Sequence, residues 1–253
     1  MNGYKNIFDS ANIQYQKYED KDYLYRSFRA RKDVYGFIEN GDTPPDEESV
    51  RIAINLDYDL YKMYQKSLED RKLIGYEGST ANYASYNNLD SRHIMMSVIL
   101  FHHTHPKTIL EIGGGYGNWL YLNRNMDFEK WIIIDIPHVS LLQNYTLCEL
   151  GVDKRKYELI NTENIESIKT ETFDAIIGAH SLSEFSVAVF DTYYDLFIKN
   201  TKYFLYCYHN WLPSTELINY KNSRISSDFN LVYKVLTENN NVSNCLLINK
   251  KYV

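Results

Sequence analysis

The stretch Ile109-Leu110-Glu111-Ile112-Gly113-Gly114-Gly115-Tyr116-Gly117 decides how this chain folds. A short β-rich run leads straight into a glycine loop, and a helical pattern through Trp119, Leu120 and Leu122 follows. Strand, glycine turn and helix in that order open a unit of parallel sheet. Glycines at such a turn let the backbone bend sharply and approach a ligand with no Cβ in the way. A second strand, 131 to 136, carries Asp135 near its end, 18 residues beyond Gly117. A carboxylate there can accept both hydroxyls of a ribose, which makes the loop and the acid together far more specific than the glycines alone.

Working outward, the alternation continues. A helical stretch at 139–150 precedes a strand at 157–161, and another strand follows at 173–178. A helix at 187–198 leads to a strand at 203–208, and two final runs, 229–236 and 244–248, are joined by a hairpin-like turn at 238–241. The pattern predicts an α/β fold, with a doubly wound, mostly parallel sheet of seven strands closed by an antiparallel C-terminal hairpin. Ahead of it, Pro44-Pro45 and Asp46-Glu47-Glu48 open a helix. Its apolar positions Val50, Ile52, Ile54, Leu56, Leu60, Met63 and Tyr64 run on until the glycines 75 and 78 break the pattern. Asp90 or Ser91 is expected to cap the next helix, with Ile94, Met95, Val98 and Ile99 buried. The expected organisation is an N-terminal helical lid and acceptor region at 1–88 and a ligand-binding α/β domain at 89–253.

Composition narrows the function classes. With 27 basic and 33 acidic residues among 253, the net charge of -6 argues against a nucleic-acid partner bound through a broad basic surface. The longest apolar runs are strand-length, so no membrane span is expected. The N-terminal stretch lacks an apolar leader, and Cys148, Cys207 and Cys245 are isolated, which reads as buried thiols of a cytoplasmic protein. A homo-oligomer is compatible with all of this.

The loop also discriminates between cofactors. A dinucleotide fingerprint starting at Gly113 requires glycine at 118, where Asn118 stands. The order found is acidic-x-Gly-x-Gly-x-Gly, beginning at Glu111. An acidic residue there suits a ligand bearing a sulfonium and an ammonium better than one bearing a pyrophosphate. The segment resembles motif I of the class I S-adenosylmethionine-dependent methyltransferases, whose domain is Rossmann-like. That resemblance implies S-adenosyl-L-methionine as cofactor, with Glu111, Gly113, Gly115 and Gly117 at its methionine part. It further implies Asp135 and Ile136 at the ribose and Asn161 and Thr162 near the adenine.

A narrower likeness follows. The Glu111–Gly117 segment, Ile134-Asp135-Ile136-Pro137, a helix with Leu141, Leu142 and Tyr145, and Ser181-Leu182-Ser183-Glu184 together resemble the sugar O-methyltransferases of bacterial surface-polysaccharide clusters. The likeness covers roughly residues 107 to 215, and His180 and Phe185 depart from its pattern. It implies methyl transfer to the hydroxyl of a nucleotide sugar or a surface glycan. The alternatives are a non-sugar small metabolite as acceptor and a non-catalytic binding module that retains the fold.

A sugar hydroxyl is a very weak acid, so a base within hydrogen-bond reach is expected just past the fourth and fifth strands. Histidines occupy both places. His209 is expected as the general base, and His180 as a cofactor-side or second base. Glu184 and Asn210, with Trp211 beside it, are expected at the substrate, and Tyr83 and Tyr86 in the lid segment 79–88 over it. His102, His103 and His105 form a cluster, but adjacent histidines point in different directions and no Asp or Cys accompanies them at ligand spacing. No metal is expected.

Overall fold

The structure, a computed structural model, describes residues 25, 28–30, 43–69, 71–76, 82–210, 214–237 and 241–253. Much of the proposed lid, Trp211 and most of the expected hairpin turn at 238–241 lie outside the described residues. The chain forms two compact units interleaved in sequence. One consists of Met1–Met95, Gly115–Arg124 and Pro137–Val152, the other of Met96–Gly114, Asn125–Ile136 and Asp153–Val253.

The first unit is helical. Helix α1 (Glu47–Leu56) starts where Asp46 Oδ2 accepts the Ser49 amide at 3.1 Å, with Glu47 and Glu48 in the first turn. The apolar positions 50–64 read as one helical run, but the structure divides it at Asp57. There the backbone opens to φ -156, ψ 97, and the side chain accepts the Leu60 amide at 3.0 Å, starting α2 (Tyr58–Glu69). Helix α3 (Asn88–His103) begins before either expected cap. Asn87 Oδ1 accepts the Asp90 amide at 3.1 Å while Asp90 Oδ2 accepts the Asn87 amide at 3.2 Å, a reciprocal capping box. Asp90 and Ser91 therefore lie in the first turn, and Ile94 and Met95 are buried as expected. Helices α4 (Asn118–Asn123) and α5 (Pro137–Glu149) complete the unit.

Buried polar groups hold this unit together. Arg71 presents Nη1 and Nη2 to the two oxygens of Asp90 at 2.6 and 2.7 Å, and Nη2 also donates to the Ser85 carbonyl at 2.9 Å. Asn118 Nδ2 donates to Asp90 Oδ1 at 3.0 Å. Burial alone would raise the Asp90 carboxyl, but Arg71 beside it holds it below the usual range. Phe28, Ile74, Tyr116 and Leu142 form a small apolar cluster, with Tyr25 stacked on Tyr145 at 4.9 Å.

The second unit carries the sheet. Its strands are β1 (Thr108–Ile112), β2 (Lys130–Asp135), β3 (Tyr157–Asn161), β4 (Ala175–Ala179), β5 (Tyr203–His209), β6 (Phe229–Thr237) and β7 (Val242–Asn249). They lie in the order β3-β2-β1-β4-β5-β7-β6. β1 to β5 pair in parallel, and β7 enters antiparallel between β5 and β6, as the sequence predicts. The inner strands are buried almost continuously, which is why they read as apolar runs and not as alternating ones. One face, from Leu110, Ile112, Ile132, Ile134, Ile176, Phe204 and Tyr206, shares a core with α7 (Val187–Leu196) and α8 (Thr215–Asp228).

Helix α8 is absent from the sequence reading. Its buried residues are Ile218, Lys221 and Ile225, so a lysine occupies the middle of an already sparse apolar stripe.

Candidate functional site

The winding of the sheet places the site. From β1 the chain moves outward to β2 and β3, then returns to β4 and β5 on the other side, so the switch point lies between β1 and β4. The parallel strands end within two residues of one another, with Asp135 opposite Asn161, Ile112 opposite Ile134, and Ala179 opposite Cys207. Their carboxyl ends therefore carry, in order across the sheet, Asn161, Asp135, Gly113, His180 and His209. These are five of the residues singled out from the sequence, brought into one row.

At the switch point the backbone is tightly fitted. The Gly113 amide donates to Ile134 O at 2.9 Å, and Gly113 has φ 79. A Cβ there would sit 2.5 Å from Ser181 Cβ, and Ser181 Oγ itself donates across the gap to Ile112 O. At Gly114 a Cβ would fall 2.6 Å from Ile133 and 3.3 Å from the Glu111 carboxyl. Farther along the loop, in the first unit, Gly115 and Gly117 also take positive φ, 56 and 88, and Gln143 Nε2 donates to Gly115 O at 3.0 Å.

Glu111 is buried, and its Oε2 accepts Trp131 Nε1 at 2.8 Å. Burial pushes its carboxyl up to about 8, against the Trp131 hydrogen bond and reinforced by the charge of Asp135. Burial thus favours its protonated form. Asp135 accepts the Ile136 amide on Oδ1 at 2.9 Å, which orients the carboxylate at the strand end. Asn161 precedes a 3-10 turn at Thr162–Ile168, and Thr162 is half-buried.

The other half of the row is built around strain. His180 has φ 65, ψ -43, a positive φ found at no other non-glycine among the described residues. It is held on every side. Its amide donates to Cys207 O at 2.9 Å, and its carbonyl accepts Ser183 N at 3.0 Å and Ser183 Oγ at 2.5 Å. The His180 and His209 rings stack at 4.6 Å and 30°, with Nδ1 of both buried. Helix α6 (Ser181–Glu184) begins at once after His180 and is only one turn long.

A residue that sequence reasoning missed secures that turn. Lys221, fully buried on α8, donates from Nζ to Leu182 O at 2.8 Å, Ser183 O at 2.8 Å and Phe185 O at 2.6 Å. One ammonium with three donors thus satisfies the carbonyls that a one-turn helix leaves open. Burial pulls it down to about 8, opposed by the charge of Glu184. Burial raises the Glu184 carboxyl in turn, against Lys221. The signal available in the sequence was a lysine in phase with Ile218 and Ile225.

The remaining expected substrate residues are placed as follows. Asn210 sits past β5, its Oδ1 accepting Ser243 Oγ at 2.9 Å and its amide donating to Asn241 O at 2.7 Å. In the first unit Tyr83 is exposed, and Tyr86 lines a cleft of about 420 Å³ with Pro45, Val50 and Ile54. His102, His103 and His105 are exposed, and the His103 ring rests against Tyr233 at 5.3 Å. Among the described residues no group of three or more His, Cys, Asp or Glu is placed to hold a metal ion, and no helix is long and apolar enough to cross a membrane.

No protein-family model and no curated protein matches the chain in sequence. Solved structures do match its fold. A Thermoplasma acidophilum protein superposes with a TM-score of 0.51 at 7% identity, covering 76% of this chain and 98% of that one. A candidate RNA methyltransferase from Pyrococcus horikoshii superposes with a TM-score of 0.51 at 11% identity, covering 75% of this chain and 96% of that one. At these identities the likeness is one of architecture, a Rossmann-like α/β fold.

Proposed function

We propose that the protein is an S-adenosylmethionine-dependent O-methyltransferase that acts on a sugar hydroxyl. The observation that carries this reading is the row across the strand ends: a buried acid beneath a glycine turn, an aspartate one strand away, and paired histidines beyond the switch point. A Cβ at Gly113 or Gly114 would press on Ser181 or Ile133, so glycine keeps the turn tight against the strand ends, beside the buried Glu111 acid that suits the cationic end of the cofactor. The sugar acceptor rests on the Glu111–Gly117 and Asp135-Ile136-Pro137 likeness.

In this reading Asp135 holds the ribose hydroxyls, Asn161 and Thr162 border the adenine, and Glu111 with Gly113, Gly115 and Gly117 accommodates the amino-acid end. The bound cofactor supplies an activated methyl group, so the protein has mainly to align a nucleophile and take its proton. His209 takes that proton as the general base. His180, whose ring stacks on that of His209 at 4.6 Å, serves as a cofactor-side or second base. Glu184 and Asn210 contact the sugar.

Calorimetric titration with S-adenosylhomocysteine, with NAD alongside, tests the cofactor. Micromolar binding of the former, lost in Asp135→Ala, is expected, and binding of NAD alone would overturn the reading. His209→Ala is expected to retain cofactor binding while turnover falls about 100-fold or more. Wild-type turnover in that variant would sink the base assignment.

A further inference from the structure

The interior of the first unit holds a positive charge whose hydrogen-bonding edge meets no partner among the described residues. Arg29 lies in a short turn, Phe28–Ala30, tied down by its amide donating to Gly75 O at 2.7 Å. The residue is 3% exposed. Its guanidinium carbon lies 4.4 Å from the Tyr76 ring centre and 4.7 Å from that of Tyr116. Nε and Nη2 are buried with no hydrogen-bond partner, and so is Tyr116 Oη.

The pairing of those two nitrogens is informative. Nε–H and the neighbouring Nη2–H point the same way along one edge of the planar guanidinium, the edge that meets both oxygens of a carboxylate in a bidentate pair. A guanidinium does not shed its charge when buried, so this edge has to be met by an anion or remain costly. Among the described residues of the unit, Asp90 is a carboxylate that feels Arg29, and Arg71 already binds both of its oxygens. Aromatic rings against the guanidinium favour the cation and keep water away, but they accept no in-plane hydrogen bond.

We propose that Arg29, set against Tyr76 and Tyr116, forms an anion subsite that takes a carboxylate on its Nε–Nη2 edge. The inference rests on the methyltransferase reading in one respect, that the amino-acid end of the cofactor is one source of such a carboxylate. Tyr116 belongs to the glycine loop, which favours that source. An acidic acceptor sugar is the other.

The test compares wild type, Arg29→Met and Arg29→Lys by calorimetry against S-adenosylhomocysteine and its decarboxylated analogue. Thermal-shift titration with glucuronate stands for the acidic sugar. If the cofactor carboxylate is the occupant, Arg29→Met binds S-adenosylhomocysteine about 10- to 100-fold more weakly and the decarboxylated analogue as wild type does. Arg29→Lys, which keeps the charge without the fork, falls between them. If the sugar is the occupant, S-adenosylhomocysteine binding is unchanged, and glucuronate stabilises wild type but not Arg29→Met. Equal weakening of both nucleosides, or no difference with any of the three probes, overturns the subsite. Failure of wild type to bind S-adenosylhomocysteine counts against the methyltransferase reading instead, and the glucuronate arm then decides the subsite alone.

Discussion

The two units are held together in different ways. The first relies on buried polar pairs: Arg71 with Asp90, Asn118 on the same carboxylate, and Tyr64 Oη donating to Asn123 Oδ1 at 2.6 Å. The second relies on seven strands and an aliphatic and aromatic core. A buried charge pair contributes little net stability against a well-packed apolar substitute, yet breaking it by removing one partner is severe. An apolar core loses the burial of the removed atoms plus a cavity term, about 1 kcal/mol for a one-methylene trim. The first unit should therefore be brittle toward single polar changes and the second tolerant of single trims.

The sharpest way to break that contrast is Asp90→Ala. It strands Arg71 and removes the returning half of the α3 capping box, and a loss of about 3–5 kcal/mol is expected, read as a fall in thermal midpoint or as insoluble protein. A variant that melts like wild type would mean that the polar interior is not what holds the first unit.

Lys221→Met comes next, because Lys221 carries the first unit's manner into the second. Three carbonyls lose their donor, and a cost of about 1–3 kcal/mol is expected. If the turn after His180 relaxes with it, kcat should fall while KM for the cofactor stays put. A parallel change in both would show a general loosening of the fold.

The smallest effect expected is a change in slope. Glu111 ionises near pH 8 in the ligand-free protein because it is buried, and a cationic ligand favours its ionised form. Affinity for the ammonium-bearing S-adenosylhomocysteine should therefore rise with pH and level off above about 8, at most about tenfold per pH unit, with release of a proton on binding. The same shift works against the fold. The native state binds the extra proton, so this group's contribution to stability declines from the ordinary carboxylate range up to about pH 8. Glu111→Gln, which can still accept Trp131 Nε1–H, should flatten both profiles.

What the sequence disclosed follows from the same division. Strands buried on both faces advertise themselves as β-rich apolar runs, so the sheet, its hairpin and the row from Asn161 to His209 were legible. The loop and Asp135 were legible because a glycine turn and an acid at a strand end have few other uses. The helix break at Asp57 was hidden, since apolar positions continue in phase through it. Asn87 was missed as a cap because Asp90 and Ser91, equally good cap residues, follow it. Lys221 and Arg29 were opaque for one reason. A buried cation looks in a sequence like any surface cation, and only its partners distinguish it.

The outer strand β6 has a further consequence. Its register with β7 slips between Leu231 and Tyr233, and Leu231 and Val232 are 57% and 41% exposed. An open strand edge with apolar side chains is a template on which another copy can add its own strand. The slipped residue interrupts the ladder, and Lys234 just beyond it places a charge on the same strand. The bulge and the charge both work against strand addition at this end of the sheet.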